Sequence, residues 1–508
     1  MIGRHGPLQR RSEPSTGAHF IDSDIATTTH LRLGGITVPR WIILTLVALA
    51  ARAVTFGNPV LHVDEQFYYA VADAMRHGAL PFVDVWDRKP VGLFLVYLPA
   101  ALLGPVIGIW AYQALALGCV VLTAVMIARL AERAGWGRGA LVAAILYILW
   151  LNIADGQGGQ SPVFYNPLVA GAMLLVLPRP GEPCRPRAIG LAAMALIGLS
   201  LQIKYSTVFE GIWIGLILLW REWRAGRALV AVLGYGAVLV IVALLPTLAA
   251  AGVYAALGQE QAFLYANFIS VLQRRPDSWR ESGGNFVLLV LSILPLMAAA
   301  WAGRHIGAGD TERRDVRRFL HGWLLTAIMG VLVFGSYFNH YALPLLVPGC
   351  VCAAAWFGAS KRGRRARWVL TAIVALVGEA IVIDDINKRG STVELRALAA
   401  AIGRGPGCLY VFSGDTMLYP ATGRCTETPY LFPSHLDRER EQGAIGVDQV
   451  AEVRRIFARR PAVVVIRPPY RGERSEMRAL AVHLLAEGGY RLSVTRPLGT
   501  QRIEIFTR

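Results

Sequence analysis

The feature that most constrains this chain is a row of apolar stretches. They fall at 41–57, 110–130, 138–152, 162–178, 187–202, 206–221, 228–250, 285–302, 319–336, 341–358 and 367–383. Each runs roughly 15 to 23 residues, near the number of helical residues that crosses about 30 Å of hydrocarbon. Only 17% of the 508 residues are charged and 55% are hydrophobic, whereas soluble globular proteins carry about 25% charged residues. The chain has too little polar surface for a water-soluble globule of its size. The expected class is therefore a polytopic α-helical membrane protein.

A twelfth apolar run, 91–106, has to be placed by charge. Basic residues cluster in alternating connections: Arg179, Arg185 and Arg187; Arg221, Arg224 and Arg227; Arg304, Arg313, Arg314, Arg317 and Arg318; Lys361, Arg362, Arg364, Arg365 and Arg367. The positive-inside rule assigns all four to the cytoplasm, together with an N-terminal arm bearing Arg4, Arg10, Arg11, Arg32 and Arg40. Counting back from Arg179 puts 152–163 outside, the Arg133–Arg138 turn inside, and 58–109 wholly outside. The run 91–106 then lies in the outer leaflet, and about eleven helices span the membrane. The same clusters account for the net charge of +17 without nucleic acid. Residues 1–35 are polar and expected to be disordered, and the first span is an uncleaved anchor.

Three expected outer loops carry chemistry. The first, 58–109, runs through His62-Val63-Asp64-Glu65 into a helical stripe of Phe67, Tyr68, Ala70, Val71, Ala74 and Met75, opposed by Gln66, Asp73, Arg76 and His77. That pattern predicts a helix lying in the interface. It ends in Asp84-Val85-Trp86-Asp87-Arg88-Lys89-Pro90. The second, 251–284, contains Arg274, Arg275 and Arg280; the third is Tyr337-Phe338-Asn339-His340-Tyr341. Two shorter pieces join them: Asp155 in a glycine-rich loop, and Lys204 at the end of a span, where a cation without a partner is costly.

An Asp-Glu pair just outside the first span, then an interfacial helix, then an acidic-x-Lys-Pro turn resembles the polyprenyl-phosphate-sugar glycosyltransferases. This is the GT-C group that includes protein O-mannosyltransferases and lipid A aminoarabinose transferase. His340-Tyr341-Ala342-Leu343-Pro344 resembles a further element of that group, with His where Arg is usual. The resemblance covers 41–383 and extends loosely to the tail. It implies a GT-C-like fold and an inverting single displacement at the anomeric carbon, from a polyprenyl-phosphate sugar to a lipid, protein or polysaccharide acceptor. Membrane lipids would be the surrounding partners. Asp64 is then the candidate base, with Glu65 beside it, and Lys89, Arg88, His340, Tyr341, Lys204, Arg274 and Arg275 are candidates for the donor phosphate. Asp155 is a candidate second acid. Some similar enzymes bind a divalent metal between two such acids, so a metal is the one cofactor to test for. No Gly-x-x-x-x-Gly-Lys loop or dinucleotide fingerprint is present in the sequence.

Plain structural readings stand beside these. Asp64 sits where a helix starts and would serve as an N-cap; Glu65 suits a first-turn dipole partner. Lys89 would snorkel, Asp87 and Arg88 would pair locally, and the loop arginines would touch lipid headgroups. A transporter or flippase of lipid-linked sugars is an alternative class, although its charges would be expected at mid-membrane. A lipid-linked glycan polymerase or ligase is another. Residues 384–508 alternate helical and β-rich runs, which predicts a small α/β domain outside the membrane. Cys408 and Cys425 lie in it and are expected to pair, while Cys119, Cys184, Cys350 and Cys352 stay reduced. The domain plan is thus 1–40 cytoplasmic arm, 41–383 catalytic membrane domain and 384–508 extracytoplasmic domain. Mannose, a pentose and galacturonic acid all remain open as the sugar.

Overall fold

The computed structural model describes residues 30–33, 36–177, 186–307 and 309–508. Arg4, Arg10, Arg11, Arg179, Cys184 and Arg185 lie outside them. Two units are distinguished, 1–43 and 44–508. In the first, β1 (His30–Leu33) and β2 (Ile36–Pro39) pair antiparallel with Leu31 opposite Val38. The expected disorder through residue 35 therefore fails at 30–33, where backbone hydrogen bonds of a hairpin take over.

Every predicted apolar stretch is helical. In order they are α1 (Arg40–Arg52), α4 (Gly104–Arg133), α5 (Gly137–Trp150), α6 (Ser161–Val176), α7 (Arg187–Leu201), α8 (Val208–Arg224) and α9 (Leu229–Ala256). They continue with α10 (Trp279–Gly303), α11 (Arg314–Phe334), α12 (Leu343–Ala359) and α13 (Lys361–Arg389). Among the described residues, α4, α9, α10, α11 and the stretch Asn339–Ala359 are long and apolar enough to cross a membrane. The problem run is α3 (Val91–Leu102), which breaks at Gly104 (φ 79°) before α4 starts. Among the described residues it is one of four shorter apolar helices, with α5, α6 and α7.

The bundle core is built on α5, α6 and α12, buried on nearly every side. Close approach needs small residues there. A Cβ on Gly139 would meet the Ala354 carbonyl oxygen at 2.0 Å, and one on Gly358 would meet the Gly139 nitrogen at 2.7 Å. Dispersion between backbones replaces the hydrophobic effect as the force joining such helices in lipid. At the opposite extreme, α9 exposes Val230, Leu233, Val240, Ile241, Leu245 and Leu248, as a lipid-facing helix does.

The helix α2 (Val63–Arg76) corrects one expectation. Half of its polar stripe is covered by protein: Gln66 and Asp73 are buried along with the apolar side, while Arg76 and His77 are exposed. The helix is covered by α3 beneath and by the short helix Leu418–Thr422 of the C-terminal region above. Gln66 hydrogen-bonds Asp415, and Asp73 accepts from Arg76 at 2.7 Å, so both polar groups are satisfied in place.

The C-terminal elements fall where the alternation put them. They are α14 (Thr392–Ile402), β3 (Leu409–Val411), α15 (Gln449–Ala458), β4 (Val463–Ile466), α16 (Ser475–Glu487), β5 (Arg491–Leu498) and β6 (Gln501–Thr507). The sheet order is β3-β4-β6-β5, with β3 and β4 parallel and the other pairs antiparallel. Val463–Ile466 is buried throughout, the pattern of a strand covered on both faces. Cys408 and Cys425 form the expected disulfide, and Cys119, Cys350 and Cys352 are free. This region is not an appendage. Trp86, from the first loop, sits in its core between Tyr430 and His435, and the Trp86 N–H donates to the Pro429 carbonyl at 2.9 Å.

Candidate active site

The connections expected outside the membrane converge on one cavity of about 470 Å³. Asp64, Arg88, Lys89, Asp155, Lys204, Arg274, His340 and Tyr341 all line it. Glu65 and Arg275 do not. Glu65 points the other way along α2, and Arg275 hydrogen-bonds Gln442 at 2.5 Å in a neighbouring crevice. Arg280 is likewise outside the lining and lies over the Trp279 ring.

Asp64 is not the N-cap of α2. That position belongs to His62, whose Nδ1 accepts from the Asp64 N–H at 3.2 Å. Gln160 Nε2 donates to the same Nδ1 at 2.5 Å, so this imidazole nitrogen carries no proton. Freed from capping, the Asp64 carboxylate faces the cavity. Burial raises its affinity for a proton, but the neighbouring cations, Lys89 first and then Lys204, outweigh this and hold Asp64 well below the usual carboxylate range. Burial lowers the pKa of His62, and that of His340 more strongly. The His where Arg is usual is thus a neutral donor and acceptor at this position.

The cations differ in how they are held. Lys89 stands 3.8 Å from Asp87 and 5.0 Å from the Tyr68 ring centre. Lys204 lies 5.1 Å from the Tyr341 ring centre, and burial together with Lys89 pulls its pKa down to about 8. Arg88 does not pair with Asp87. It donates to Glu441 at 2.6 Å, to the Ala444 carbonyl at 3.2 Å and to Ser270 Oγ at 3.3 Å. Arg274 meets the other oxygen of Glu441 at 2.8 Å. Despite burial, Glu441 is held down to about 2 by Arg88 and Arg274. Asp87, buried beside His435, is pushed upward.

The glycine-rich loop is held from both sides, with Asp155 and Gln160 in the cavity wall. Arg52, buried at the end of α1, donates to the carbonyls of Gly156, Gln157 and Gly158 at 2.7, 2.5 and 3.2 Å. On its other side a Cβ at Gly158 would fall 2.1 Å from Glu65 Oε2, so a larger residue there would have to displace the Glu65 carboxylate. Burial pushes Glu65 up to about 7, against the Gly159 N–H and Arg52. Asp155 itself adopts φ 53° and lies 3.7 Å from Arg389, which is brought in by the extension of α13 past residue 383.

A metal between Asp64 and Asp155 is not what the side chains favour. Among the described residues, the grouped ligand atoms are those of His62, Asp64 and His340, all within 4.8 Å of one another. Two neutral imidazoles and a carboxylate are a reasonable donor set for a divalent transition metal.

Residues unforeseen from sequence come mainly from the C-terminal region: His435, Arg438, Arg440, Glu441, Arg467 and Tyr470 also line the cavity. The run Asp437-Arg438-Glu439-Arg440-Glu441 was the available signal. Alternating charges, though, look the same on a solvated surface as in a cavity wall.

No family model matches the chain, and no curated protein does. Solved structures are similar in fold. ArnT from Cupriavidus metallidurans in the apo state superimposes with a TM-score of 0.62 at 15% identity, covering 92% of this chain and 97% of that one. The same protein bound to undecaprenyl phosphate gives 0.60 at 15% identity, with 92% and 98% covered. The apo oligosaccharyltransferase of Archaeoglobus fulgidus gives 0.50 at 12% identity, with 84% and 69% covered. The fold is that of the GT-C glycosyltransferases.

Proposed function

We propose that this chain is an inverting glycosyltransferase that moves a sugar from a polyprenyl-phosphate donor to a lipid, protein or polysaccharide acceptor. The reaction would take place at the outer face of the inner membrane. The single observation that supports this most is the cavity: the Asp64 carboxylate, ionised and, unlike Glu441, not paired with an arginine, lines it together with Lys89 and Lys204 inside a GT-C fold. In this reading eleven helices cross the membrane, the N-terminus is cytoplasmic and residues 384–508 are outside.

Asp64 accepts the proton of the acceptor hydroxyl as its oxygen attacks C1 of the sugar. The bond from C1 to the phosphate oxygen breaks on the opposite face, and its electron pair leaves with the phosphate. Lys89 and Lys204 stabilise the charge growing there. Tyr341 and the neutral His340 offer hydrogen bonds to the same group. Arg88 and Arg274, already tied to Glu441, shape the wall more than they bind. A single displacement needs one free carboxylate. The other acids are otherwise engaged: Glu65 faces the glycine loop, Asp87 is pushed toward its neutral form, and Asp155 faces Arg389. A divalent cation, where bound by His62, Asp64 and His340, would supply Lewis-acid assistance to the phosphate.

The test is mass analysis of envelope glycolipids and glycoproteins from cells with and without the gene. A sugar must disappear from one acceptor class on deletion and return with the wild-type gene but not with Asp64→Asn. Unchanged profiles in the deletion strain would remove the assignment.

A further inference from the structure

One cation of the cavity stands apart from the donor-phosphate group. Arg467 follows β4 directly, and Ser413 and Gly414 follow β3, so they occupy the carboxyl ends of two adjacent parallel strands. In open α/β sheets the loops at that edge leave a crevice where ligands bind. Here the crevice opens into the cavity that holds Asp64, with Gly414, Ser434, Arg467 and Tyr470 in its wall. The backbone is fixed: the Arg467 N–H donates to the Ser413 carbonyl at 3.0 Å and lies 3.2 Å from its Oγ.

The guanidinium lies over the Tyr470 ring, 4.4 Å from its centre. Its Nε is buried without a hydrogen-bond partner, and among the described residues no ion pair engages it. Its acidic neighbours compensate poorly. Burial raises both Asp415 and Asp437, the latter to about 7, and each is already engaged, by Gln66 and by the Tyr470 hydroxyl at 2.5 Å. Arg389, close by, is by contrast committed to Asp155, Asp385 and the Leu61 carbonyl. A buried donor left unpaired is costly, so natural proteins keep few of them. A planar fork fixed on an aromatic platform suits a carboxylate or phosphate.

We infer that Arg467, on its Tyr470 platform, anchors a second anion subsite of this cavity, separate from the donor phosphate. Its ligand is a carboxylate or phosphate carried by a reactant: a uronic-acid carboxylate on the transferred sugar, or a phosphate on the acceptor. The inference rests on the glycosyl-transfer reading above.

The full-length protein in lipid nanodiscs is titrated calorimetrically with glucuronate, methyl phosphate, neutral glucose and, separately, undecaprenyl phosphate. Arg467→Gln should weaken one of the two soluble anions about tenfold or more and shift undecaprenyl phosphate by less than about twofold. Arg467→Lys, which keeps the charge and loses the fork, should recover part of the loss. Glucuronate as the sensitive probe identifies the sugar carboxylate, and methyl phosphate identifies the acceptor phosphate. Equal affinities for both anions in wild type and Arg467→Gln would overturn the subsite. If Arg467→Gln does not fold, unchanged anion affinity in Arg467→Lys overturns it equally. Failure of the wild type to bind undecaprenyl phosphate, with anion binding still dependent on Arg467, would sink the donor assignment and keep the subsite.

Discussion

Both ends of the helical bundle are rich in basic residues, and each end pairs some of them with acids or carbonyls and sets others on aromatic rings; what differs is which of them line the cavity. At one end Arg317 donates to the Ala134 carbonyl at 2.9 Å and meets Asp310 at 3.1 Å, Arg221 donates to the Val176 carbonyl at 2.8 Å, and Arg133 donates to the Leu174 carbonyl. These acceptors are carbonyls at or near the ends of helices, which intrahelical bonding leaves free and where the dipole favours a cation. At the other end Lys89, Lys204 and Arg467 rest on the faces of Tyr68, Tyr341 and Tyr470. An aromatic face positions a cation without neutralising it. Abundance of positive charge therefore says little about function; a place in the cavity wall says more.

Substitutions at the two ends should separate accordingly. The largest effect is expected from Asp64→Asn, with transfer falling ~10²–10⁴-fold, the range a positioned base contributes. Membrane insertion and thermal stability should stay near wild type. Measurable transfer within a few-fold of wild type would remove Asp64 from the chemistry. Next comes Lys204. Its pKa is lowered to about 8, so it is charged below that pH and loses its charge above it. The donor KM should rise as pH climbs through about 8 while kcat changes less, and Lys204→Arg, which cannot be deprotonated, should flatten the profile. A pH profile identical in wild type and Lys204→Arg would exclude Lys204 from donor binding.

Smaller effects belong to the structural end. Arg317→Gln leaves buried carbonyls unpaired and should cost about 1–3 kcal/mol of stability, with kcat and KM unchanged in the folded fraction. A loss of turnover in protein that melts normally would break the distinction between the two ends. The smallest expected effect is at Lys388–Asp384, an exposed pair at 2.6 Å. Lys388→Ala should leave both activity and melting temperature near wild type.

The helices were legible because runs of apolar residues specify them, and the alternation of arginines gave an expected side for each connection. That sorting gathered Asp64, Lys89, Lys204 and His340 in advance, since each sits at a helix end or turn on the same expected side. What stayed hidden depends on how elements meet. Sequence spacing does not say which of two adjacent acids faces a cavity, and α2 turns Asp64 inward and Glu65 toward Gly158. The amphipathic stripe of α2 suggested an interface helix because the cover over Gln66 comes from Asp415, far along the chain. Arg438, Arg440 and Arg467 looked like ordinary surface charge for the same reason.

The tie of Arg88 and Arg274 to a single carboxylate, Glu441, also bears on how the protein is made. Glu441 follows every helix of the bundle in the chain, so a ribosome delivers it only after those helices have been synthesised. Until then the first loop and the long loop lack their common anchor, and the cavity lacks a wall. A nascent chain part-way through insertion, or one cut short before residue 441, would hold Asp64 beside an open cleft. The cavity wall is complete only once the chain has been made past residue 441.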